Sequence, residues 1–268
     1  MTSGPYCFVI NAYKLYYEHM KIISIKTPRI EAHSTSLESV IEAVVNDIQT
    51  KSVLAISSKI VSLCEGSVVA AGTVDKMALI ETESDYYMPD AQSAWGINFT
   101  ITDGILIPNA GIDESNAGDV EVLWPKDAQR TANAIRKYLS EKYNVSDIGV
   151  IITDSTVRPL RRGVSGIAIA YSGFKPLRDY VQTPDLFGRP FAVSQSDIVG
   201  GLASAAVLAM GEGAESTPLA LMSELDTINF VRDDPSPEEL EMLRIPLEED
   251  LFAPFLTKAR WKKGGRNV

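Results

Sequence analysis

The alternation of apolar patterns over residues 21–57 limits the possible folds of this chain more than any other feature. The runs KIISIK at 21–26 and SVLAIS at 52–57 each predict a strand. Between them, apolar residues recur at the spacing of an amphipathic helix: Leu37, Val40, Ile41, Val44, Val45 and Ile48. A strand, a helix and a strand in this order predict a mixed α/β fold.

Further helices are predicted by apolar stripes and by capping residues. Thr35 and Glu38 have the spacing of a capping box at the start of the first helix. A stripe of apolar residues predicts a second helix over 127–143, and the segment DIVGGLASAAVLAMGEG predicts a helix that ends at Gly211. Its many small residues would let a neighbouring backbone approach closely.

Buried strands are predicted by continuous apolar runs. IGVIITD predicts a strand that ends on Asp154, and further strands are expected at 165–173 and in TPLALMSEL. NFTITDGILI predicts a hairpin with Asp103-Gly104 at its turn. The polar segment 81–97 is expected to be a loop. It and 173–192 are candidates for segments that leave one core for another.

The domain organisation follows from these patterns. Residues 1–20 match no core element and are interpreted as an N-terminal extension. Residues 21–230 are expected to form the catalytic region, as one body or two intertwined subdomains. Residues 231–268 are expected to form a C-terminal tail that begins with a Pro-rich capped helix and ends in basic residues.

Charge and composition exclude several classes of protein. The chain of 268 residues has 25 basic and 35 acidic residues, and this net charge of −10 argues against a nucleic-acid binder. No apolar run approaches the roughly 20 residues that cross a bilayer. Cys7 and Cys64 lack the pattern of a zinc site or a disulfide. The N-terminus does not resemble a secretory signal, so we expect a cytoplasmic protein.

Asp154 is the first candidate for chemistry, because carboxylates at the carboxyl ends of buried strands often contact ligands in α/β proteins. Ser155 and Thr156 add hydroxyl oxygens, and this set suits a hard cation such as Mg²⁺ or Mn²⁺. The alternative is that Asp154 only caps the following turn. Spacing alone leaves both interpretations open.

NAGIDESN at 109–116 is the second candidate, since Asp113 and Asn116 lie among other ligand-competent residues. Asn, Gly, Asp and Ser are also the common residues of turns, so a polar loop is the alternative. A shared metal site would require this segment and Asp154 to converge in space.

Three arginines follow Asp154 closely: Arg158, Arg161 and Arg162. Guanidinium groups bind phosphate or carboxylate in a bidentate manner. An acidic metal site beside arginines is a common requirement of phosphoryl transfer. The segment therefore predicts an anion site, with a solvated basic loop as the alternative.

MGEGAEST at 210–217 and Lys59 are the remaining candidates. The glycines of this segment allow backbone N–H groups to approach a phosphate, although a simple helix end is an alternative. Lys59 has the charge to meet a phosphate, and an isolated lysine is otherwise a solvated side chain.

Taken in chain order, five segments resemble the coenzyme F420-0:γ-glutamyl ligase family. They are SSKIVSLCEG, NAGIDESN, WPKDAQRTANAIR, GVIITDSTVRPLRRGVSGIAIAYSG and ASAAVLAMGEG. The resemblance covers about residues 21–225. It implies the α/β fold of that family, a homodimer, and an enzyme that uses GTP (or ATP) and a divalent metal, Mg²⁺ or Mn²⁺. Its reaction joins L-glutamate to a carboxylate acceptor.

The resemblance also implies roles for individual residues. It implies metal binding by Asp113, Asp154, Ser155 and Glu212. It implies nucleotide contacts from Lys59, Asn116, Met210, Gly211, Glu212, Gly213, Ser216 and Thr217. Asp154, Arg158 and Arg161 are the expected catalytic residues, with the arginines facing phosphates or acidic substrates. Activation of the acceptor as an acyl phosphate would fit such a centre.

The acceptor side differs from the family's pattern. The segment before NAG is DGILIP, and an acidic, aromatic stretch precedes it. The acceptor is therefore either coenzyme F420-0 or a related molecule such as a folate, whose pterin could stack on Tyr86, Tyr87 or Trp95. Two further functions also fit these residues: a non-catalytic nucleotide-binding protein and a metal-dependent phosphohydrolase.

Overall fold

The fold was determined as a computed structural model, which describes residues 20–92 and 95–266. The described strands are β1 (Lys21–Ile25), β2 (Ser52–Ser57), β3 (Val68–Ala70), β4 (Tyr86–Gln92), β5 (Asn98–Thr102), β6 (Ile105–Pro108), β7 (Val120–Val122), β8 (Ile148–Val157), β9 (Val164–Ser172), β10 (Leu177–Asp179), β11 (Gln195–Asp197), β12 (Leu219–Ser223) and β13 (Lys262–Lys263). The described helices are α1 (Leu37–Val44), α2 (Ser58–Glu65), α3 (Lys76–Glu83), α4 (Ala128–Tyr143), α5 (Ile198–Met210), α6 (Pro237–Glu241) and α7 (Ala253–Leu256). The predicted N-terminal extension, with Cys7, lies outside the described residues apart from Met20.

The main sheet has the strand order β1-β12-β2-β8-β9. β2 and β8 are parallel, and the other neighbouring pairs of this sheet are antiparallel. The predicted strand–helix–strand opening is confirmed by β1, α1 and β2. The mixed α/β fold is confirmed as well.

Helices cover both faces of the main sheet, because its central strands are apolar on both sides. Leu54 and Ile56 of β2 face a core formed with α1, α2 and α4. Val53 and Ala55 face the opposite core, which α5 covers. The result is a three-layer arrangement in which β2 and β8 lie inside the sheet.

The close approach expected from the small residues of α5 is confirmed at Gly166 of β9. A Cβ atom at Gly166 would lie 2.5 Å from the backbone oxygen of Ala203. The Ser204 hydroxyl of α5 also donates to the Gly166 carbonyl at 2.8 Å. The helix therefore packs directly on the strand backbone.

A second sheet, in the order β13-β4-β5-β6, lies over a smaller core. That core contains Leu79, Ile80, Tyr87, Ala110 and Ile112. The prediction of a loop over 81–97 is wrong, since β4 occupies much of it. Tyr87 is buried in this core and pairs with β5, and this long-range pairing outweighs the turn-like composition of the segment.

The predicted hairpin at Asp103-Gly104 is confirmed, with both residues at positive φ between β5 and β6. Tertiary contacts fix this turn. The Asp103 carboxylate accepts from the Trp124 indole at 2.8 Å and from Arg266 at 3.1 Å. The C-terminal segment is thereby attached to the second sheet.

Two predicted boundaries are wrong for local reasons. The capping box of Thr35 and Glu38 is not formed; Ser36 is the N-cap, and its side chain accepts from the Ser39 backbone N–H. Helix α1 also ends at Val44, before the predicted Ile48. Val45 and Ile48 are nevertheless buried in the core, so their apolar character reflects packing outside a helix.

The helix at 127–143 is confirmed as α4, with Asp127 as its N-cap. The predicted helix end at Gly211 is also confirmed for α5. In the tail, Ser236 caps α6, which has a proline in its first turn. None of the helices in the described part of the chain has the length and apolar character that a membrane span requires.

Asp234 fastens the tail to α4 through two ion pairs. Its carboxylate contacts Arg136 at 2.9 Å and Lys137 at 2.6 Å. The Arg136 side chain is nearly buried and also donates to the Ser172 hydroxyl at 3.0 Å. Burial alone would raise the pKa of Asp234, but hydrogen bonds from Lys137 and Arg136 hold it below its ordinary value.

We expect Asp234→Asn to lower the free energy of unfolding by about 1–3 kcal/mol near neutral pH, because a buried guanidinium loses its carboxylate. The folded pKa lies below the unfolded value of 3.8. The contribution is therefore present above that value and is lost as pH falls through the folded pKa. Urea unfolding between about pH 7 and about pH 3 should show the two proteins converging at acid pH. The exposed neighbour Asp233→Asn is the control, and an equal loss there would contradict the assignment.

Candidate active site

The site is built at the carboxyl ends of two parallel strands, where ligands commonly bind in α/β sheets. Ser57 of β2 pairs with Thr153 of β8. The residues that follow them, Ser58 and Asp154, therefore lie side by side, and the Ser58 hydroxyl donates to the Asp154 carboxylate at 2.8 Å. The prediction that β8 ends on Asp154 is wrong, because pairing with β9 extends β8 to Val157.

A bulge immediately precedes Asp154. Ile152 pairs with Ala170 and Thr153 with Ala168, so Ile169 of β9 is the extra residue. Such bulges change the direction of the neighbouring side chains and are frequent beside functional sites. Asp154 is partly buried here, unlike the fully buried Ile152.

The NAG segment forms a turn with left-handed backbone at Asn109, Ala110 and Gly111. Such a conformation is costly for Ala110, so the surroundings must hold it. The Ala110 N–H donates to Thr100 at 2.8 Å. A Cβ at Gly111 would lie 2.1 Å from Trp124. After this turn, Asp113 forms a backbone bridge with Val122 of β7, which pairs with β3 in a separate two-stranded sheet.

Lys59 holds the turn that carries Asp113. Its ammonium lies 2.7 Å from the Asp113 carboxylate, 2.8 Å from the Ser115 carbonyl and 3.2 Å from the Ser115 hydroxyl. The Ser115 N–H also donates to Asp113 at 2.7 Å. Lys59, the candidate phosphate contact, is therefore already ion-paired with Asp113, a candidate metal ligand.

The segment after α5 is tied to both aspartate-bearing segments. The Asn116 amide donates to the Gly213 carbonyl at 3.0 Å. The Ser155 hydroxyl donates to the Glu212 carboxylate at 2.7 Å. Thr217 in turn donates to the Met210 carbonyl at 2.5 Å. These contacts join three segments that are far apart in the chain.

The segments line a solvent-open cavity of about 620 Å³. Eleven residues predicted to bind metal or nucleotide line it: Lys59, Asp113, Asn116, Asp154, Ser155, Met210, Gly211, Glu212, Gly213, Ser216 and Thr217. Convergence of the two aspartate-bearing segments, which the shared site required, is therefore a feature of the structure.

The two aspartates have opposite pKa shifts. Burial raises the pKa of Asp154 to about 6, against hydrogen bonds from Ser155 and Ser58, and the charge of Asp113 adds to the rise. Burial would also raise the pKa of Asp113, but hydrogen bonds from Lys59 and Ser115 lower it overall. Asp154 is thus the carboxylate whose charge is less well compensated by the protein.

The donor set fits a hard cation chemically. Asp113, Asp154, Ser155 and Glu212 offer carboxylate and hydroxyl oxygens, which Mg²⁺ and Mn²⁺ prefer. Within residues 20–92 and 95–266, no group of three His, Cys, Asp or Glu side chains is drawn together closely enough to hold an ion by itself. Mg²⁺ usually keeps several waters and takes one or two carboxylates with substrate phosphates, so the fit is to a shared site.

Comparison with known proteins adds an independent observation. The family model described as F420-0:Gamma-glutamyl ligase matches residues 24–224. This chain belongs to the F420-0:gamma-glutamyl ligase family.

Individual relatives differ in how much of this family member they match. The protein named Coenzyme F420:L-glutamate ligase in Methanopyrus kandleri is 36% identical over 196 residues, which cover 67% of this chain and 77% of that protein. The protein of the same name in Methanocaldococcus jannaschii is 41% identical over 130 residues, covering 47% of this chain and 52% of its own length. The match in Methanococcus maripaludis strain C7 is 38% identical with the same coverage. The chain thus matches about half the length of the last two.

Arg158 and Arg161 do not line the cavity. They lie with Arg162 in the exposed connection between β8 and β9. Arg158 donates to the Ser165 hydroxyl at 3.0 Å, and Arg161 to the Leu160 carbonyl at 3.0 Å. Closeness to Asp154 in sequence did not bring them to it, since the strand carries the chain onward for three residues.

The aromatic residues considered for a pterin also lie elsewhere. Tyr87 is buried in the second core, so the prediction that it could stack on a ligand is wrong. Tyr86 and Trp95 are exposed, and neither lines the cavity.

Several lining residues were not among the predicted site residues, although Ser58 and Glu215 lie within quoted segments. Thr27, Pro28, Arg29 and Ile30 follow β1 and close one side of the cavity, and Ser58 and Glu215 contribute polar groups. The Thr27 N–H donates to the Ser216 carbonyl at 2.9 Å, which joins this segment to 210–217, the candidate nucleotide-binding loop. The start of β1 was visible in the sequence, but its antiparallel pairing with β12, which brings these residues here, was not.

Proposed function

We propose that this protein is a nucleotide- and divalent-metal-dependent ligase that adds L-glutamate to a carboxylate of coenzyme F420-0 or a related acceptor. The observation that carries the proposal is the cavity: residues from the family's matched segment, far apart in sequence, line it together. The relatives are named Coenzyme F420:L-glutamate ligase, which supports the choice of acceptor and amino acid.

The loop 210–217 is the proposed phosphate-binding element. It follows the end of α5 at Gly211, whose φ is positive. The Gly213 N–H is already bonded to Glu215 at 2.8 Å, and the Gly213 carbonyl to Asn116. We assign nucleotide contacts to this loop together with Lys59 and Asn116, with GTP preferred over ATP from the resemblance.

The charge of the cavity supports a metal requirement. Among its described lining residues, Arg29 and Lys59 are basic, whereas Asp113, Asp154, Glu212 and Glu215 are acidic. Lys59 is paired with Asp113. A polyphosphate entering such a cavity meets net negative charge, and divalent cations held by Asp113, Asp154, Ser155 and Glu212 would compensate it. Such ions would also polarise the transferred phosphate.

Amide formation from a carboxylate requires activation of that carboxylate. In the proposed reaction, an acceptor carboxylate oxygen attacks the γ-phosphorus, and the nucleoside diphosphate leaves. The glutamate amine then attacks the acyl carbon of the acyl phosphate and loses a proton. Phosphate leaves from that carbon, and the amide bond is formed. Asp154 and Ser155 are proposed to hold the cation, which would orient the reacting phosphate, while Lys59 keeps the Asp113 turn in place.

The arginines and the oligomeric state form a separate part of the proposal. Within one chain, Arg158 and Arg161 are exposed outside the cavity. If they bind substrate phosphate, replacing both by alanine raises the Kd for nucleotide; an unchanged Kd removes them from the site.

The homodimer implied by the resemblance is tested by the mass of the protein in solution. A cytoplasmic location stays a prediction from the sequence.

Incubation of the purified protein with GTP or ATP, Mg²⁺ or Mn²⁺, glutamate and a panel of F420-0 and folates tests the function. We expect a product heavier by one or more glutamyl residues with F420-0, detected by mass spectrometry. Addition to folate alone would select the folate ligase. Nucleotide turnover that does not depend on glutamate would indicate a phosphohydrolase, and binding without turnover would indicate a non-catalytic protein.

A further inference from the structure

Ser58 makes a contact that no catalytic motif predicted. It is the first residue of α2, the residue is only 7% exposed, and its hydroxyl donates to Asp154 Oδ2 at 2.8 Å. The hydroxyl carries a single proton, so this contact uses its whole donor capacity. Helix α2 follows β2 without a connecting loop, so the hydroxyl lies at the carboxyl end of that strand.

The Asp154 carboxylate has few other partners. Its Oδ1 accepts from the N–H of the next residue, Ser155, at 2.6 Å. That bond is local and moves with the strand. In the described part of the chain, Ser58 supplies the side-chain hydrogen bond to this carboxylate, and it comes from a different element. The rotation of the carboxylate about its last bond is therefore set by α2.

We propose that Ser58 is a positioning residue, which holds the Asp154 carboxylate in the orientation that binds the divalent cation. The inference rests on the proposed function, since it takes Asp154 as a cation ligand. A carboxylate that ligates a metal is usually oriented by a further hydrogen bond, and loss of that partner weakens metal binding. The geometry of Ser58 and Asp154 is of this kind.

Ser62 provides a matched control on the same helix. It lies one turn after Ser58, is completely buried, and its hydroxyl has no hydrogen-bond partner in the described structure. Ser62 is also absent from the residues that line the cavity. Ser62→Ala therefore removes a buried hydroxyl from α2 without touching Asp154.

The test measures Mn²⁺ binding to metal-free protein, with the metal alone, from the electron paramagnetic resonance signal of free Mn²⁺. We expect Ser58→Ala to raise the Kd for Mn²⁺ by about 10–100-fold and Asp154→Asn to raise it at least as much. Ser58→Thr, which keeps the hydroxyl, should restore most of the affinity. Ser62→Ala should bind Mn²⁺ as the wild type does.

Kinetics separate positioning from a general loss of structure. With saturating metal, Ser58→Ala should recover much of its kcat, while Asp154→Asn should not. Thermal unfolding of the metal-free variants reports whether the fold is intact.

The outcomes distinguish the inference from the function it rests on. If Asp154→Asn weakens Mn²⁺ binding but Ser58→Ala matches the wild type, the positioning role is overturned and the proposed function stands. If Ser62→Ala also weakens Mn²⁺ binding, or if Ser58→Thr does not restore it, the loss of affinity comes from altered packing. The positioning role is then overturned as well. If the wild type binds Mn²⁺ only when substrate phosphates are present, all variants are compared with a non-hydrolysable GTP analogue in the sample. If the wild type binds no Mn²⁺ in either condition, the inference and the metal requirement of the proposed function both fail.

Discussion

Asp154→Asn is expected to lower the kcat of glutamate ligation by on the order of 10³-fold. The substitution removes the negative charge that holds the proposed cation, and this cation would stabilise the transferred phosphate. The variant keeps the shape of the side chain and an oxygen that accepts from Ser58. We expect nucleotide affinity in the absence of metal to change little. Steady-state kinetics with F420-0 measure the fall in kcat, and equilibrium binding of nucleotide without metal measures the affinity.

The same substitution should have the opposite effect on stability. Burial raises the pKa of Asp154 to about 6 from its ordinary value of 3.8, so the folded state disfavours its ionised form. For a raised carboxyl pKa, the cost to stability is present at neutral pH and disappears below the unfolded value. The melting temperature of metal-free Asp154→Asn should therefore equal or exceed that of the wild type. A large fall in melting temperature, or full activity, would contradict the assignment, with Asp233→Asn as the control.

Gly173→Ala is expected to lower the free energy of unfolding by about 3–5 kcal/mol, the sum of backbone strain and a steric clash. Gly173 has a φ of 93° and directly follows β9. A Cβ there would lie 2.1 Å from the Ile148 carbonyl oxygen and 2.8 Å from Arg136 Cδ. The first of these is backbone of the central strand β8, which cannot move without disturbing the core. Urea unfolding measures the effect.

Gly163 separates the two contributions to this loss. Its φ of 89° is nearly the same, but a Cβ there would meet nothing within 4 Å. Gly163→Ala should therefore cost only the strain of a left-handed alanine, about 1–2 kcal/mol. The difference between the variants reports the clash at Gly173. Equal losses would mean that the backbone around Gly173 relaxes to admit the methyl group.

The parts of the fold that the sequence predicted correctly depend on local patterns. The hairpin at Asp103-Gly104 follows from the preference of such residues for positive φ, and α4 follows from its apolar stripe. The incorrect parts depended on distant partners. Strand β4 forms because β5 pairs with it, although its own segment is rich in turn-forming residues.

The candidate site divides in the same way. Asp154 was recognisable because a continuous apolar run precedes it, and Asp113 because its segment matches a family motif. The arginines that follow Asp154 looked equally suitable, but β8 continues past Asp154 and carries them to an exposed connection. Ser58 looked like an ordinary helix residue until the parallel pairing of β2 and β8 brought it to the Asp154 carboxylate.

Local patterns were enough to predict the mixed α/β class and its main helices and strands, because these depend on neighbours a few positions away, and the resemblance to a family supplied the candidate residues. Which candidates share a cavity could not be predicted in either way. Lys59, Asp113, Asp154 and Glu212 meet because strand order, the bulge before Asp154 and the left-handed turn at 109–111 act together. Those features arise from packing between distant segments, which no local pattern encodes.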